Sequence, residues 1–74
     1  MRACELQKLQ KGRIVHLSLS KEDGERLFYL GIYQGAVLQF LHTAPLHDPY
    51  LFYVQGSLLI LRKSDAMKIE VEPV

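Results

Sequence analysis

The sequence has no tryptophan, one cysteine and three prolines in 74 residues. A lone Cys4 cannot close an internal disulfide, which excludes the cross-linked framework that small secreted domains use. The expected setting is a reducing cytoplasm, with Cys4 in a mobile N-terminal segment. Its charged neighbours, Arg2 and Glu5, offer little to activate the thiol. No apolar run approaches the roughly 20 residues that cross a bilayer, and residues 1–10 lack the continuous apolar stretch of a signal peptide. An excess of one charge is also missing. Nine Lys and Arg stand against eight Asp and Glu, for a formal net charge of +1. That balance supplies no basic stripe for a phosphate backbone, so an RNA-binding small barrel ranks third among the functional readings and no nucleic acid is expected. There is no glycine-rich phosphate loop, and neither Cys4, Ser18 nor Ser20 has a base at a recognised spacing. The sequence does not read as an enzyme.

What it does have is apolar content, at 49% hydrophobic residues. A chain this short buries only about 60% of its unfolded surface, but that content is enough for one domain over residues 1–74. Leu6 and Leu9 precede a break at Gly12 and are spaced to set two side chains on a core. "GRIVHLSL" is β-branched and apolar enough for a strand. Ser20 then offers an N-cap, Glu22 and Asp23 suit the first helical turn, and Gly31 suits a left-handed helix end. The spacing predicts a short helix from Lys21 to Leu30, weakened inside by Gly24. "AVLQFLHT" reads as a strand paired on both sides, "APLHDP" as a turn, and "YLFYV" and "LLIL" as strands about a Gln55-Gly56-Ser57 turn. Ser64 would cap a helical turn near residues 64–68, and "IEVEP" alternates as a last strand with one face buried. The fold expected is mainly β with one short helix, a small SH3-like barrel, with an OB-like barrel as the competing arrangement of the same pattern.

The apolar stretch from Leu27 to Gly56 holds all four tyrosines, all three phenylalanines and two of the three histidines. Alternation along strands sends Tyr50, Phe52 and Val54 to one face and joins Phe40 with Leu38 and His42. Leu27, Phe28, Leu30, Ile32, Phe40 and Phe52 are expected in the core. Tyr29, Tyr33 and Tyr50 are expected to be partly exposed, with hydroxyls in water. His42, His47 and Asp48 flank the predicted turn and are of the type that could hold Fe2+ or Zn2+. Two histidines specify such a site poorly, so the plainer reading makes His47 a turn residue and His42 a solvated strand residue.

The ordered series Leu6, Leu9 and Gly12, then "RLFYLGI" from Arg26, Gly35, "APLHDP", Gly56, "LILR" and "DAMKIEV" resembles the FeoA family along the whole chain. That family supplies a small cytosolic component of bacterial ferrous-iron uptake. The resemblance implies an SH3-like barrel with a helical insertion. It also implies an accessory or regulatory role beside the membrane transporter FeoB, which carries a cytosolic GTP-binding domain. Typical members have glycine in place of His47, a branched aliphatic residue in place of Tyr50, an arginine pair where this chain has Glu25-Arg26, and an acid in place of Tyr29. The surface expected to meet the transporter is Tyr29, Gly31, Tyr33 and Gln34. A homo-oligomeric metal-sensing module using His42 or His47 is the alternative reading.

Overall fold

A computed structural model describes residues 1–74. Five antiparallel strands form one sheet: β1 (Lys11–Leu17), β2 (Val37–Thr43), β3 (Tyr50–Val54), β4 (Ser57–Leu61) and β5 (Ile69–Pro73). Two helices interrupt them, α1 (Lys21–Tyr29) between β1 and β2, and α2 (Lys63–Ala66) between β4 and β5. The strand order β4-β3-β2-β1-β5 leaves β4 and β5 as edges. The small-barrel sheet is therefore wrapped but not closed by hydrogen bonds.

Alternation decides which side chains fill the interior. Ile14, Leu38, Phe52, Val54, Leu61, Ile69 and Val71 are almost fully buried, one or more from every strand, and Leu27 and Ile32 join them from α1 and its exit. Each such side chain contributes roughly 1.5–3 kcal/mol relative to exposure, before conformational entropy is set against it. Two irregularities break the alternation. The register of β1 against β5 shifts between Ile14 and His16, and that of β2 against β3 shifts between Phe40 and His42. A bulge inserts one residue and turns later side chains to the other face. That is why His42 is exposed and does not share the inner face with Leu38.

The two sheet edges differ. Beside β5, the Val71 N–H donates to the Met1 carbonyl at 2.7 Å, and the Met1 ammonium donates to the Val71 carbonyl at 3.1 Å. Arg2 bridges to Glu70, and a 3-10 turn at Ala3–Glu5 follows, with Ala3 fully buried. Glu5 accepts the Arg2 backbone N–H at 2.6 Å, and that bond holds its carboxyl below the usual carboxylate range. The N-terminal segment is thus packed, not mobile as expected, and Cys4 lies against the core. Leu6 is buried as predicted, whereas Leu9 takes a positive φ and is exposed. Gly12 lies within β1, near its start, as the strand reading of "GRIVHLSL" has it.

The β3–β4 hairpin turns on Gln55 and Gly56, both at positive φ. That is the combination a two-residue hairpin of matching twist requires. The helical turn near residue 64 is present, but Ser64 does not cap it. The first helical N–H, that of Lys63, is accepted by Asp48 Oδ1 at 3.0 Å from the β2–β3 turn.

Candidate partner-binding surface

The helix α1 positions the candidate surface. Ser20 Oγ accepts the Asp23 N–H at 3.2 Å, as an N-cap does, and Asp23 and Glu22 sit where the helix dipole favours acids. Only Leu27 of this helix is buried. At the other end the Ile32 N–H returns to the Leu27 carbonyl at 2.9 Å. Gly31 makes that return feasible. Its φ is +93°, and a Cβ there would lie 3.0 Å from Gln55 Cγ and 3.3 Å from Val54 Cγ1. Both conformation and space demand glycine.

This tight exit lays three rings side by side. Phe28 stands edge-on to Tyr29 at 6.0 Å between centroids and tilted against Tyr33 at 5.4 Å. Tyr29 is 86% exposed and Phe28 57%, with Leu30 at 46% and Tyr33 at 36% beside them. Gln55 Nε2 donates to the Tyr33 hydroxyl at 2.9 Å, which ties the surface to the β3–β4 turn. Nearby, Arg26 bonds Asp65 at 3.2 Å and lies 3.6 Å from Asp23, so α1 is pinned to α2 by one shared cation.

Of the residues singled out in the sequence, Tyr29 and Tyr33 come together through Phe28. Gly31 shapes the turn beneath them, and Gln34 is exposed in the loop beyond. Phe28 and Leu30 were expected in the core and instead belong to the exposed surface. Tyr50 goes the other way: it is 7% exposed, stacked with Phe52 at 6.3 Å and tilted against Phe40 at 5.8 Å. Phe40 is only half-buried, packed on the core from outside it. Exposed apolar residues on a short helix signal such a surface, but only once the single buried helix position is known.

His42, His47 and Asp48 do not converge. No group of three or more His, Cys, Asp or Glu side chains is placed to hold a metal ion. His42 Nδ1 lies 3.2 Å from the Thr43 carbonyl, Asp48 is occupied by Lys63, and His47 sits in the turn at φ +59°. The last is the left-handed position that a glycine would fill.

Comparison with known proteins shows the family. The FeoA domain model matches residues 1–73. The solution structure of the FeoA protein from Chlorobium tepidum is 31% identical, with a TM-score of 0.93 over 100% of this chain and 70% of that one. Iron(II) transport protein A from Clostridium thermocellum is 34% identical at a TM-score of 0.94, and the whole of this chain spans 46% of its length. The zinc complex of Stenotrophomonas maltophilia FeoA is 25% identical at 0.79, covering 97% of this chain and 89% of that one. That protein is described as an SH3-domain protein and a candidate activating factor of ferrous-iron transport. No curated protein matches the chain.

Proposed function

The chain belongs to the FeoA family of ferrous-iron transport, and from that premise we propose that it is a cytoplasmic accessory protein that docks on the cytosolic part of a FeoB-type transporter. No helix of the chain is long and apolar enough to cross a membrane, which suits a partner that meets the transporter from one side. The observation that carries the reading is the contiguous exposed cluster of Phe28, Tyr29 and Tyr33 at the tight exit of α1. Aromatic side chains are enriched where proteins meet, because they bury much area at little entropic cost. The role proposed is modulation by binding, with no catalytic step.

The test is binding of the folded protein to the isolated cytosolic domains of a FeoB transporter by calorimetry. A Tyr29→Ala, Tyr33→Ala double variant with unchanged circular dichroism should weaken binding by about tenfold or more, the loss expected when central aromatic contacts are removed. Equal affinity of the folded double variant and the parent would remove this surface. Absence of any binding by the parent would remove the partner.

A further inference from the structure

The β4 edge is bare where the β5 edge is covered. The loop Gln55–Gly56 has two residues, so the closing pair Val54 and Ser57 is hydrogen-bonded and the pairs alternate from there. Tyr53 with Leu58, and Leu51 with Ile60, are then the non-hydrogen-bonded pairs. The N–H and C=O of Leu58 and Ile60 consequently face away from β3. No backbone bond from outside the sheet reaches either residue. Their side chains are also exposed, Leu58 at 65% and Ile60 at 67%. Free-standing proteins blunt such an edge with charge, proline or a bulge. The segment Ser57–Leu61 reads SLLIL, with none of these, and its register with β3 is unbroken.

A groove of about 600 Å3 adjoins this edge, between α1 and the β4–α2 corner. Ile60 lines it together with Asp23, Arg26, Asp65, Arg62 and Lys68. Both carboxylates are matched by Arg26, at 3.6 and 3.2 Å. Arg62 and Lys68 take part in none of the ion pairs of the chain. The groove therefore offers two uncommitted cations beside an uncommitted strand edge.

We propose that β4 and this groove receive an extended segment of a partner protein as an added strand, apolar at alternate positions and carrying carboxylates at one end. The backbone groups of Leu58 and Ile60 would supply the main-chain bonds of strand addition. Their side chains would pack against the alternate apolar positions, and Arg62 and Lys68 would meet the carboxylates. The site is separate from the aromatic cluster at Tyr29 and stands whether or not that cluster binds a transporter.

The probe is a synthetic peptide of alternating valine and threonine with two glutamates at one end, followed by NMR on the folded protein. Saturable shifts at Leu58, Ile60, Arg62 and Lys68, with slowed exchange of the Leu58 and Ile60 amide protons, are expected. Replacing the glutamates by glutamines, or Arg62→Gln with Lys68→Gln in the protein, should weaken binding by about tenfold and reduce its salt dependence. A peptide with alternate backbone nitrogens methylated on its pairing edge should not bind, a control that needs no altered protein. The proposal is overturned by no shifts at millimolar peptide, by equal binding of the methylated peptide, or by shifts confined to Tyr29 and Tyr33. It is also overturned by concentration-dependent self-association that protects the same amides without peptide, which would give the edge to a second copy of the chain.

Discussion

Gly12 and Val71 meet on the inner face of the β1–β5 pair with no room for another atom. A Cβ on Gly12 would lie 3.0 Å from both Cβ and Cγ2 of Val71. Val71 is 1% exposed and cannot swing aside. Gly12→Ala is therefore expected to destabilise the fold by about 1–3 kcal/mol, the usual cost of overfilling a packed interior. The check is a lower urea midpoint at unchanged slope.

Gly24 is the opposite case. It lies inside α1, has no positive φ, and a Cβ there meets nothing within 4 Å. Gly24→Ala should stabilise by up to about 1 kcal/mol, through helix propensity alone. The paired glycine variants should move the denaturant midpoint in opposite directions.

The β2–β3 turn holds Leu46 at φ +70° and His47 at φ +59°, with the Leu46 side chain 93% exposed. A left-handed conformation costs an ordinary residue roughly 1–2 kcal/mol, partly offset in glycine by its freer unfolded chain. Leu46→Gly and His47→Gly should each leave stability unchanged or raise it by about 1 kcal/mol. A clear fall in the denaturant midpoint of either variant would contradict this account of the turn.

Burial raises the pKa of the Tyr50 phenol and so disfavours its ionisation, and the neighbouring Cys4 and Asp48 charges push it the same way. A group whose folded-state pKa is raised contributes fully below its unfolded value, about 10 for tyrosine, and loses that contribution as pH rises toward the folded value. No hydrogen bond of the Tyr50 hydroxyl holds the fold, so Tyr50→Phe should be within about 1 kcal/mol of the parent at neutral pH. Above about pH 10 the variant should lose stability less steeply. Urea midpoints measured across the alkaline range decide it.

Arg26 is the shared cation between Asp23 and Asp65, and the Asp65 side chain is only 14% exposed while Arg26 is 49% exposed. Arg26→Gln should cost about 1 kcal/mol, since a half-exposed pair is screened but Asp65 loses its counter-charge. The loss should shrink in high salt, as measured by thermal unfolding at two ionic strengths.

Much of the fold was legible because its signals are local. Ser20 before two acids marked the start of α1, Gly31 marked its end, and alternation in "IEVEP" and "YLFYV" placed their inner faces correctly. The family resemblance carried the small barrel itself. The failures are tertiary. Phe28 and Leu30 have the composition of core residues, yet α1 offers only Leu27 to the interior. Tyr50 has a hydroxyl, yet it stacks on Phe52. His42 was placed with Phe40 by strict alternation, and the bulge that separates them depends on pairing with β3. Asp48 looked like a ligand or turn residue, and its partner is the first N–H of a helix 15 positions later. The sequence marked Tyr29 and Tyr33 but not the ring of Phe28 that joins them, because joining requires the helix exit in three dimensions.

The first strand finds its outer neighbour only at the far end of the chain: β1 pairs with β5, and Gly12, Ile14 and His16 lie opposite Pro73, Val71 and Glu70. During synthesis, that partner is the last of the five strands to emerge. Until it leaves the ribosome, Ile14 has no Val71 beside it and half of β1's hydrogen-bonding groups face water. The domain is thus built to lock as a whole after its final strand is released, and not stepwise as it is made. A ribosome-stalled chain ending at Lys68 should be cut by protease where the released chain resists.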